Sequence, residues 1–257
     1  MNRKDYTTSL TEKQWQFIEK VVECQKRKRK HELRDIMNAI IYLVNTGCQW
    51  RILPNDFAPC NTVYFYYRKW KNEGIIEELH EALRDYLRKK TGRKHSPSVG
   101  IIDSRSVKTS HHVDCTKGID GGKKIKGRKQ HIIVDTMGLL LAITVHAANI
   151  HDSRGAIDVI DQLRHRFPRL TKIIADGGYR GELINKVKSA FGWALEVVMR
   201  KDDSPKFKVL PKRWIVERTF SWLENYRRLT IDYEFYAQNS EAMVQLAMIN
   251  LMLNRIN

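Results

Sequence analysis

The chain has 257 residues, and its 46 Lys and Arg against 29 Asp and Glu give it a formal net charge of +17. An excess of this size predicts a polyanionic partner, either nucleic acid or an anionic membrane surface. No apolar run reaches the length of a membrane span, and the N-terminal segment MNRKDYTTSL lacks the apolar core of a signal peptide. A cytoplasmic protein that does not enter a membrane is therefore expected. The four cysteines form no Cys-x-x-Cys pair and are expected to be reduced thiols.

The first part of the chain is predicted to be helical. Thr11 can cap a first helix that ends near Val22, because apolar side chains then recur at helical spacing. Further helices are predicted over about 32–46, 61–72 and 75–89. The predicted helices at 32–46 and 61–72 allow two interpretations. They could form a helix-turn-helix that reads DNA, or an ordinary helical bundle whose aromatic side chains form the core.

The third predicted helix carries the basic residues that the first of these interpretations needs. Arg68, Lys69 and Lys71 stand beside Tyr64 and Tyr67 in the segment TVYFYYRKWKN. We therefore take Arg68, Lys69 and Lys71 as candidate DNA contacts.

The second part of the chain is predicted to alternate strands and helices. Gly92, Ser96 and Pro97 interrupt the helical pattern, so a domain boundary is expected between residues 95 and 96. Strands are predicted at 99–103, 131–135, 139–145, 171–176 and 194–199, and helices at 153–167, 181–190, 212–229 and 240–255. This order indicates a mixed sheet with helices on its faces and fits the ribonuclease-H-like architecture. The predicted fold class is α/β, with a helical domain (1–95) before a ribonuclease-H-like domain (96–257).

Three acidic residues lie where the pattern makes a carboxylate unusual. Asp103 ends the apolar run Val-Gly-Ile-Ile, Asp176 ends Ile-Ile-Ala, and Glu217 lies on the predicted helix in RWIVERTF. Taken singly, each Asp is an ordinary cap or turn residue, and Glu217 is a surface ion pair with Arg213 at i, i+4. Together they favour one cluster, since buried carboxylates are costly unless they are paired or bind a metal.

A cluster of three carboxylates suits phosphodiester chemistry. Two Mg²⁺ ions roughly 3.5–4 Å apart activate a water or a 3′-hydroxyl and stabilise the leaving oxygen, and Mn²⁺ can substitute for them. Carboxylates are the protein ligands that Mg²⁺ prefers. Asp103 is expected to bridge the two ions, with Asp176 and Glu217 each flanking one.

A basic loop between the predicted strands supplies further candidates for DNA contact. Lysines and arginines surround the glycines of GGKKIKGRK, which makes the loop both flexible and positively charged. The alternative is a solvated loop without a partner. The candidates are Lys123, Lys124, Lys126, Arg128 and Lys129. The basic run at 26–31 is also expected to contact phosphates without reading bases.

Several of these segments resemble bacterial insertion-sequence transposases of the DDE class, particularly the group named for insertion sequence five. LTEKQWQFIEK and RDIMNAIIYLVNTGCQWRILPNDFAPCNTVYFYYRKW are similar to that group's helical DNA-binding region. IIDSRSVKTS carries Asp103, IIADGGYRG carries Asp176, and RWIVERTFSWLENYRRL carries Glu217. GGKKIKGRKQHIIVDTMGLLLAITVHAANIHDS is similar to the central block of the group. The resemblance covers nearly the whole chain.

The resemblance implies a transposase that binds terminal inverted repeats, cuts the element ends and joins them to target DNA. It implies double-stranded DNA as partner, a homodimer on that DNA, and a bacterial, nucleoid-associated location. The chain departs from related transposases at Leu210 and Glu224, where a Tyr and a basic residue are often found. Arg213, Arg227 and Arg228 are the arginines expected to contact phosphates.

Two alternatives remain open at this point. The first is a non-catalytic DNA-binding regulator derived from a mobile element, although the intact set of acids argues against it. The second is a ribonuclease-H-like nuclease that cuts DNA without transferring strands.

Overall fold

A computed structural model describes residues 6–22, 29–114, 116–199 and 212–256. The helices are α1 (Glu12–Val22), α2 (Leu33–Thr46), α3 (Cys60–Asn72), α4 (Ile75–Lys90), α5 (Asp152–Asp161), α6 (Glu182–Phe191), α7 (Trp214–Glu224) and α8 (Ala237–Leu253). The strands are β1 (Val99–Lys108), β2 (Gly118–Asp120), β3 (Ile125–Val134), β4 (Leu140–Ala147), β5 (Lys172–Ala175) and β6 (Ala194–Val197). None of the helices in the described ranges has both the length and the apolar character needed to cross a bilayer.

The chain divides into two units. Unit 1 comprises Met1–Arg93, Leu223–Thr230 and Ala242–Asn257, and unit 2 comprises Lys94–Trp222 and Ile231–Glu241. Most of α8 therefore belongs to unit 1, whereas its sequence position suggested the domain at 96–257.

Unit 1 begins with a helix whose start is fixed by reciprocal hydrogen bonds. The Thr11 backbone N–H donates to Oε1 of Gln14 at 2.9 Å, and the Gln14 backbone N–H donates to Oγ1 of Thr11 at 3.3 Å. This is the capping arrangement expected for Thr11, since it satisfies two backbone donors that the helix leaves open. Gln14 Nε2 also donates to the Leu253 carbonyl at 3.1 Å, which ties α1 to the end of α8.

The connection between α2 and α3 does not resemble the turn of a helix-turn-helix. It covers residues 47–59 and includes a short 3₁₀ helix at Trp50–Ile52, whereas that motif uses a turn of three or four residues. On α3, Tyr67 and Trp70 are buried, while Phe65 and Arg68 are exposed. The interpretation as a helical bundle therefore describes α3 better than a helix-turn-helix does, because aromatic side chains of this helix are buried in the core.

Unit 2 is built on a mixed sheet with the strand order β4-β3-β1-β5-β6, and the short β2 pairs with the start of β3. β1, β3 and β4 are antiparallel neighbours, and β5 and β6 run parallel to β1. This is the ribonuclease-H-like order expected from the sequence. Helices α5 and α6 pack on the sheet through an apolar cluster that includes Val159, Leu163 and Val187.

The sequence missed the full length of β1 and β3. The predicted strands stop at residue 103 and begin again at residue 131. In the structure Ser104 pairs with His131, and the pairing continues as far as Lys108 and Gly127. Several polar side chains on these strands are buried and hydrogen-bond to other polar groups of the unit. The buried ones include Ser104, Arg128, Lys129, Gln130 and His131.

Candidate active site

The sheet brings Asp103 and Asp176 side by side. β1 and β5 are adjacent parallel strands, and their last paired residues are Ile101 and Ile174. Each aspartate lies two residues beyond its member of that pair, Asp103 within β1 and Asp176 just after β5, so both lie beside the carboxyl end of β5. This is the edge at which open α/β sheets bind ligands.

The Asp103 carboxylate lacks full compensation for its position. Burial raises its pKa from 3.8 to about 6, and the negative charge of Asp176 adds to that rise. A hydrogen bond from the Ser104 backbone N–H, 2.7 Å long, and the charges of Arg213 and Lys123 oppose it. A carboxylate that costs this much to ionise is one that gains from a nearby cation.

Glu217 joins the two aspartates through a shared arginine. Arg213 Nη2 lies 3.6 Å from Oδ2 of Asp176 and 3.3 Å from Oε1 of Glu217. Both contacts are made by one guanidinium nitrogen, so the two carboxylates lie on either side of a single positive charge. The Arg213–Glu217 ion pair considered from the sequence is therefore present, and it is also part of the cluster.

The carboxylates suit a divalent cation in their chemistry, but their side chains are not arranged as a complete set of metal ligands. Among the described residues, no three His, Cys, Asp or Glu side chains stand close enough to hold one metal ion as they are. The donors are nonetheless hard carboxylate oxygens, the type that Mg²⁺ and Mn²⁺ prefer. Arg213 already brings a cation between Asp176 and Glu217. The donor set therefore fits such an ion if Arg213 turns away.

Helix α7, which carries Glu217, is fixed to the turn between β3 and β4. Arg218 lies between the rings of Trp214 and Trp222, 4.6 and 4.5 Å from their centroids. Its Nη2 donates to the Met137 carbonyl at 3.1 Å, and Thr219 Oγ1 donates to the Gly138 carbonyl at 2.9 Å. These contacts fix the rotation of α7 and hence the direction in which Glu217 projects.

Replacing Gly138 with alanine is expected to destabilise the protein by about 2–5 kcal/mol. Gly138 has φ +82°, which costs an L-residue about 1–2 kcal/mol. An added Cβ would also lie 2.8 Å from Thr219 Oγ1 and 2.9 Å from the Trp222 ring, a further overpacking cost of about 1–3 kcal/mol. Urea denaturation gives the difference. Gly192→Ala is the control, since Gly192 has φ +74° but nothing within 4 Å. Equal losses in the two variants would refute tight packing of α7 on the turn.

The sequence missed a polar group beside the aspartates. Asp152, the first residue of α5, accepts hydrogen bonds from Ser104 Oγ at 2.8 Å and Lys129 Nζ at 2.9 Å. Burial alone would raise the pKa of Asp152, but these two bonds outweigh it and lower the pKa. Tyr179 is also buried here, three residues after Asp176. A large aromatic so close behind a strand-terminal acid was the available signal.

Three of the basic residues proposed as DNA contacts are buried. Arg128 has no exposed surface, and its guanidinium bonds to Asp114 and Asp232. Lys129 bonds to Asp152 and to the Ile150 carbonyl. Arg228 donates to the Cys48 carbonyl at 3.3 Å. These three side chains are engaged inside the protein, which disfavours them as DNA contacts.

The remaining basic candidates can reach solvent. Lys123, Lys124 and Lys126 are exposed around the β2–β3 turn, and Lys123 Nζ lies 3.4 Å from the Ser104 carbonyl, next to Asp103. Those on the helices are exposed or half-buried: Arg68, Lys69, Lys71, Arg213 and Arg227. Residues 26–28 of the basic run and Leu210 lie outside the described residues.

Comparison with known proteins finds similarity in both parts of the chain. A family described as "Transposase DDE domain" matches residues 94–252, and one described as "Putative transposase of IS4/5 family" matches residues 10–80. A Burkholderia cepacia protein named "Putative transposase for insertion sequence element IS402" is 33% identical over 128 residues. That match covers 47% of this chain and 60% of the relative's length.

Solved structures show a weaker likeness. A Mos1 mariner paired-end complex with Mn aligns over 95% of this chain and 84% of its own, at 11% identity and a TM-score of 0.31. A Mos1 strand transfer complex aligns over 91% and 78%, again at 11% identity and a TM-score of 0.31. TM-scores this low do not establish a shared fold.

Proposed function

The chain belongs to the transposase DDE domain family, and from that premise we propose that it is a metal-dependent DNA transposase. It binds the terminal inverted repeats of an insertion sequence, cleaves phosphodiester bonds at the element ends and transfers the strands to target DNA. The observation that carries this proposal is the cluster at the sheet edge. Asp103, within β1, and Asp176, just after β5, lie side by side on adjacent parallel strands, and one guanidinium links Asp176 to Glu217.

We assign Asp103, Asp176 and Glu217 as the ligands of two Mg²⁺ ions, for which Mn²⁺ can substitute. Such a pair of ions activates the attacking oxygen and stabilises the leaving one. Burial raises the pKa of Asp103 to about 6, and the charge of Asp176 adds to that rise, so this carboxylate would gain from the cations. Arg213 contacts Asp176 and Glu217, and its guanidinium would be free to pair with a DNA phosphate if those carboxylates bound cations.

The double-stranded DNA partner is expected to lie along the exposed basic residues near this cluster. Lys123, Lys124 and Lys126 project from a turn whose first lysine lies beside Asp103. Phosphate contacts from such residues position DNA and carry no base specificity. Transposition joins two element ends, so we also propose a homodimer on DNA, which light scattering of the DNA complex tests.

Changing Lys123, Lys124 and Lys126 together to alanine is expected to weaken DNA binding at every sequence alike. Each lost phosphate contact reduces the slope of log affinity against log salt by about 0.9, so a fall of about 2–3 is expected. Fluorescence anisotropy over a salt series measures this slope. The matched control is Lys186→Ala, an exposed lysine on α6 that pairs with Glu182. An unchanged slope in the triple variant would show that DNA does not follow this turn.

The proposed activity is tested with DNA that carries the inverted repeats flanking the gene. We expect cutting at the element ends with Mg²⁺ or Mn²⁺ and none with EDTA, followed by strand transfer of pre-cut ends. Asp176→Asn and Glu217→Gln should each reduce cutting by more than the roughly 100-fold typical of residues outside the metal's ligand set.

The same assay separates the alternatives. Binding without metal-dependent cutting would indicate a regulator, and cutting without joining of pre-cut ends would indicate a nuclease. Cutting that survives in both acid variants would refute the assignment of the site.

A further inference from the structure

We propose that Tyr179, His131 and His146 form a buried hydrogen-bond chain that positions Asp176 against Asp103, and that these three are positioning residues for the metal site. The inference rests on the proposed function, since it concerns how the ligands of that site are held. Tyr179 and His131 are 1% and 0% exposed, and His146 is 9% exposed.

The direction of each hydrogen bond in the chain follows from its last acceptor. His146 Nδ1 lies 3.0 Å from the Ala147 carbonyl, which can only accept, so Nδ1 carries the hydrogen. Nε2 of a neutral His146 is then an acceptor, and His131 Nδ1, 3.3 Å away, donates to it. That leaves His131 Nε2 as an acceptor, and the Tyr179 hydroxyl, 2.6 Å away, donates to it.

This assignment requires both histidines to be neutral, and their surroundings support that state. Burial lowers the pKa of His131 to about 3, and the nearby His146 adds to this effect. Burial also lowers the pKa of His146, against the hydrogen bond to the Ala147 carbonyl. Burial and the carboxylates of Asp103, Asp152 and Asp176 raise the pKa of Tyr179 well above its ordinary value, so its hydroxyl keeps its hydrogen.

His131 connects the two strands that carry the aspartates. Its backbone pairs with Ser104, the residue after Asp103, across the β1–β3 ladder. Its side chain bonds to Tyr179, which belongs to the 3₁₀ turn directly after Asp176. The Asp176 side chain accepts from the Gly178 backbone N–H at 2.8 Å, so movement of this turn moves the carboxylate with it.

Helix α5 packs closely against this hydrogen-bond chain. A Cβ at Gly155 would lie 2.3 Å from His146 Nε2 and 3.0 Å from His131 Nδ1. No side chain fits there, so the helix backbone holds the two rings together. If the Tyr179 hydroxyl is removed, the buried acceptor His131 Nε2 loses its donor and has no room for another partner. The hydroxyl is therefore needed to keep the His131 ring bonded.

The test measures Mn²⁺ binding to the full chain without DNA, by calorimetry, in parallel with thermal unfolding of the metal-free protein. Tyr179→Phe keeps the ring and removes only the donor. We expect the Mn²⁺ dissociation constant to rise about 10–100-fold, the usual effect of losing a group that orients a ligand. Tyr226→Phe is the matched control, because Tyr226 is also a buried tyrosine with a side-chain hydrogen bond, here to Asn250 in unit 1.

A second pair of variants covers the case in which Tyr179→Phe unfolds. His131→Gln can still accept from Tyr179 through its amide oxygen, whereas His131→Leu cannot. Weaker Mn²⁺ binding in His131→Leu than in His131→Gln supports the proposed role of the hydrogen-bond chain. Wild-type affinity in Tyr179→Phe or His131→Leu, or an equal loss in Tyr226→Phe, overturns it.

The outcomes also separate this inference from the function on which it rests. If wild-type protein binds no Mn²⁺, or binds it as well after Asp176→Asn, the proposed metal site fails. If the acids are needed and the tyrosine hydroxyl is not, the metal site stands and only the positioning role is lost.

Discussion

Asp103→Asn is expected to abolish DNA cutting and, at the same time, to make the metal-free protein more stable. The asparagine keeps an oxygen that can accept the hydrogen bond from the Ser104 backbone N–H. It removes a charge whose pKa is raised from 3.8 to about 6. At pH 8 this corresponds to a gain of about 1–3 kcal/mol, allowing for the partial exposure of the side chain.

The pH dependence of that gain has a defined sign. A carboxyl group whose pKa is raised by folding contributes its stability below the ordinary pKa and loses it as the pH rises through the folded value. The wild type and Asp103→Asn should therefore be equally stable below about pH 4 and diverge up to about pH 6. Urea denaturation across this range measures the divergence. Equal stabilities at pH 8 would show that Asp103 is not under electrostatic strain.

Asp152→Asn provides a control of opposite sign on a neighbouring element. The pKa of Asp152 is lowered, because the hydrogen bonds of Lys129 and Ser104 outweigh burial. Its charge therefore stabilises the fold at neutral pH, and the asparagine variant should be less stable than the wild type there.

Mg²⁺ should raise the stability of the wild type by mass action and have little effect on Asp103→Asn.

Arg128→Ala is expected to destabilise the protein by about 3–5 kcal/mol, the usual cost of removing one partner from a buried ion pair. Arg128 Nη1 donates to Asp232 Oδ2 at 3.0 Å, and Nη2 donates to Asp114 Oδ1 at 2.8 Å. The guanidinium also donates to the carbonyls of Glu234 and Phe235, at 2.7 and 2.6 Å. Without it, the buried Asp232 carboxylate loses its cation, and the carbonyls of Thr116, Glu234 and Phe235 each lose a donor.

The experiment distinguishes a structural arginine from a DNA contact. Lys126→Ala is the control, since Lys126 lies two residues earlier on the same strand and is exposed. The control should change stability by less than about 0.5 kcal/mol and reduce the salt dependence of DNA binding. Arg128→Ala should lower the urea midpoint and leave the salt slope of the folded fraction unchanged. The reverse result would restore the DNA contact expected from the sequence.

The acids could be found from the sequence because local patterns identify them. Asp103 and Asp176 each follow a short apolar run, and such runs predict buried strands whether or not the partners are known. Glu217 was harder to assign, since an Arg213–Glu217 pair on an exposed helix looks the same with or without a site beside it. The contact from Arg213 to Asp176 depends on a fold that joins residues far apart in the chain.

The buried basic residues could not be recognised in the same way. KGRKQ is polar in sequence, and the counter-ions of the buried Arg128 lie 14 and 104 residues away, at Asp114 and Asp232. The assignment of most of α8 to unit 1 is likewise not visible in the sequence. Nothing in the pattern of α8 says which apolar surface it will cover.

The assignment of Ala242–Asn257 to unit 1 bears on how the protein matures. Translation proceeds from the N-terminus, so α1 to α4 leave the ribosome long before the segment that completes their core. Unit 1 therefore lacks one of its three segments until translation has passed residue 242. A product that ends before this residue would lack the contacts that this segment makes, among them the bond from Gln14 to the Leu253 carbonyl.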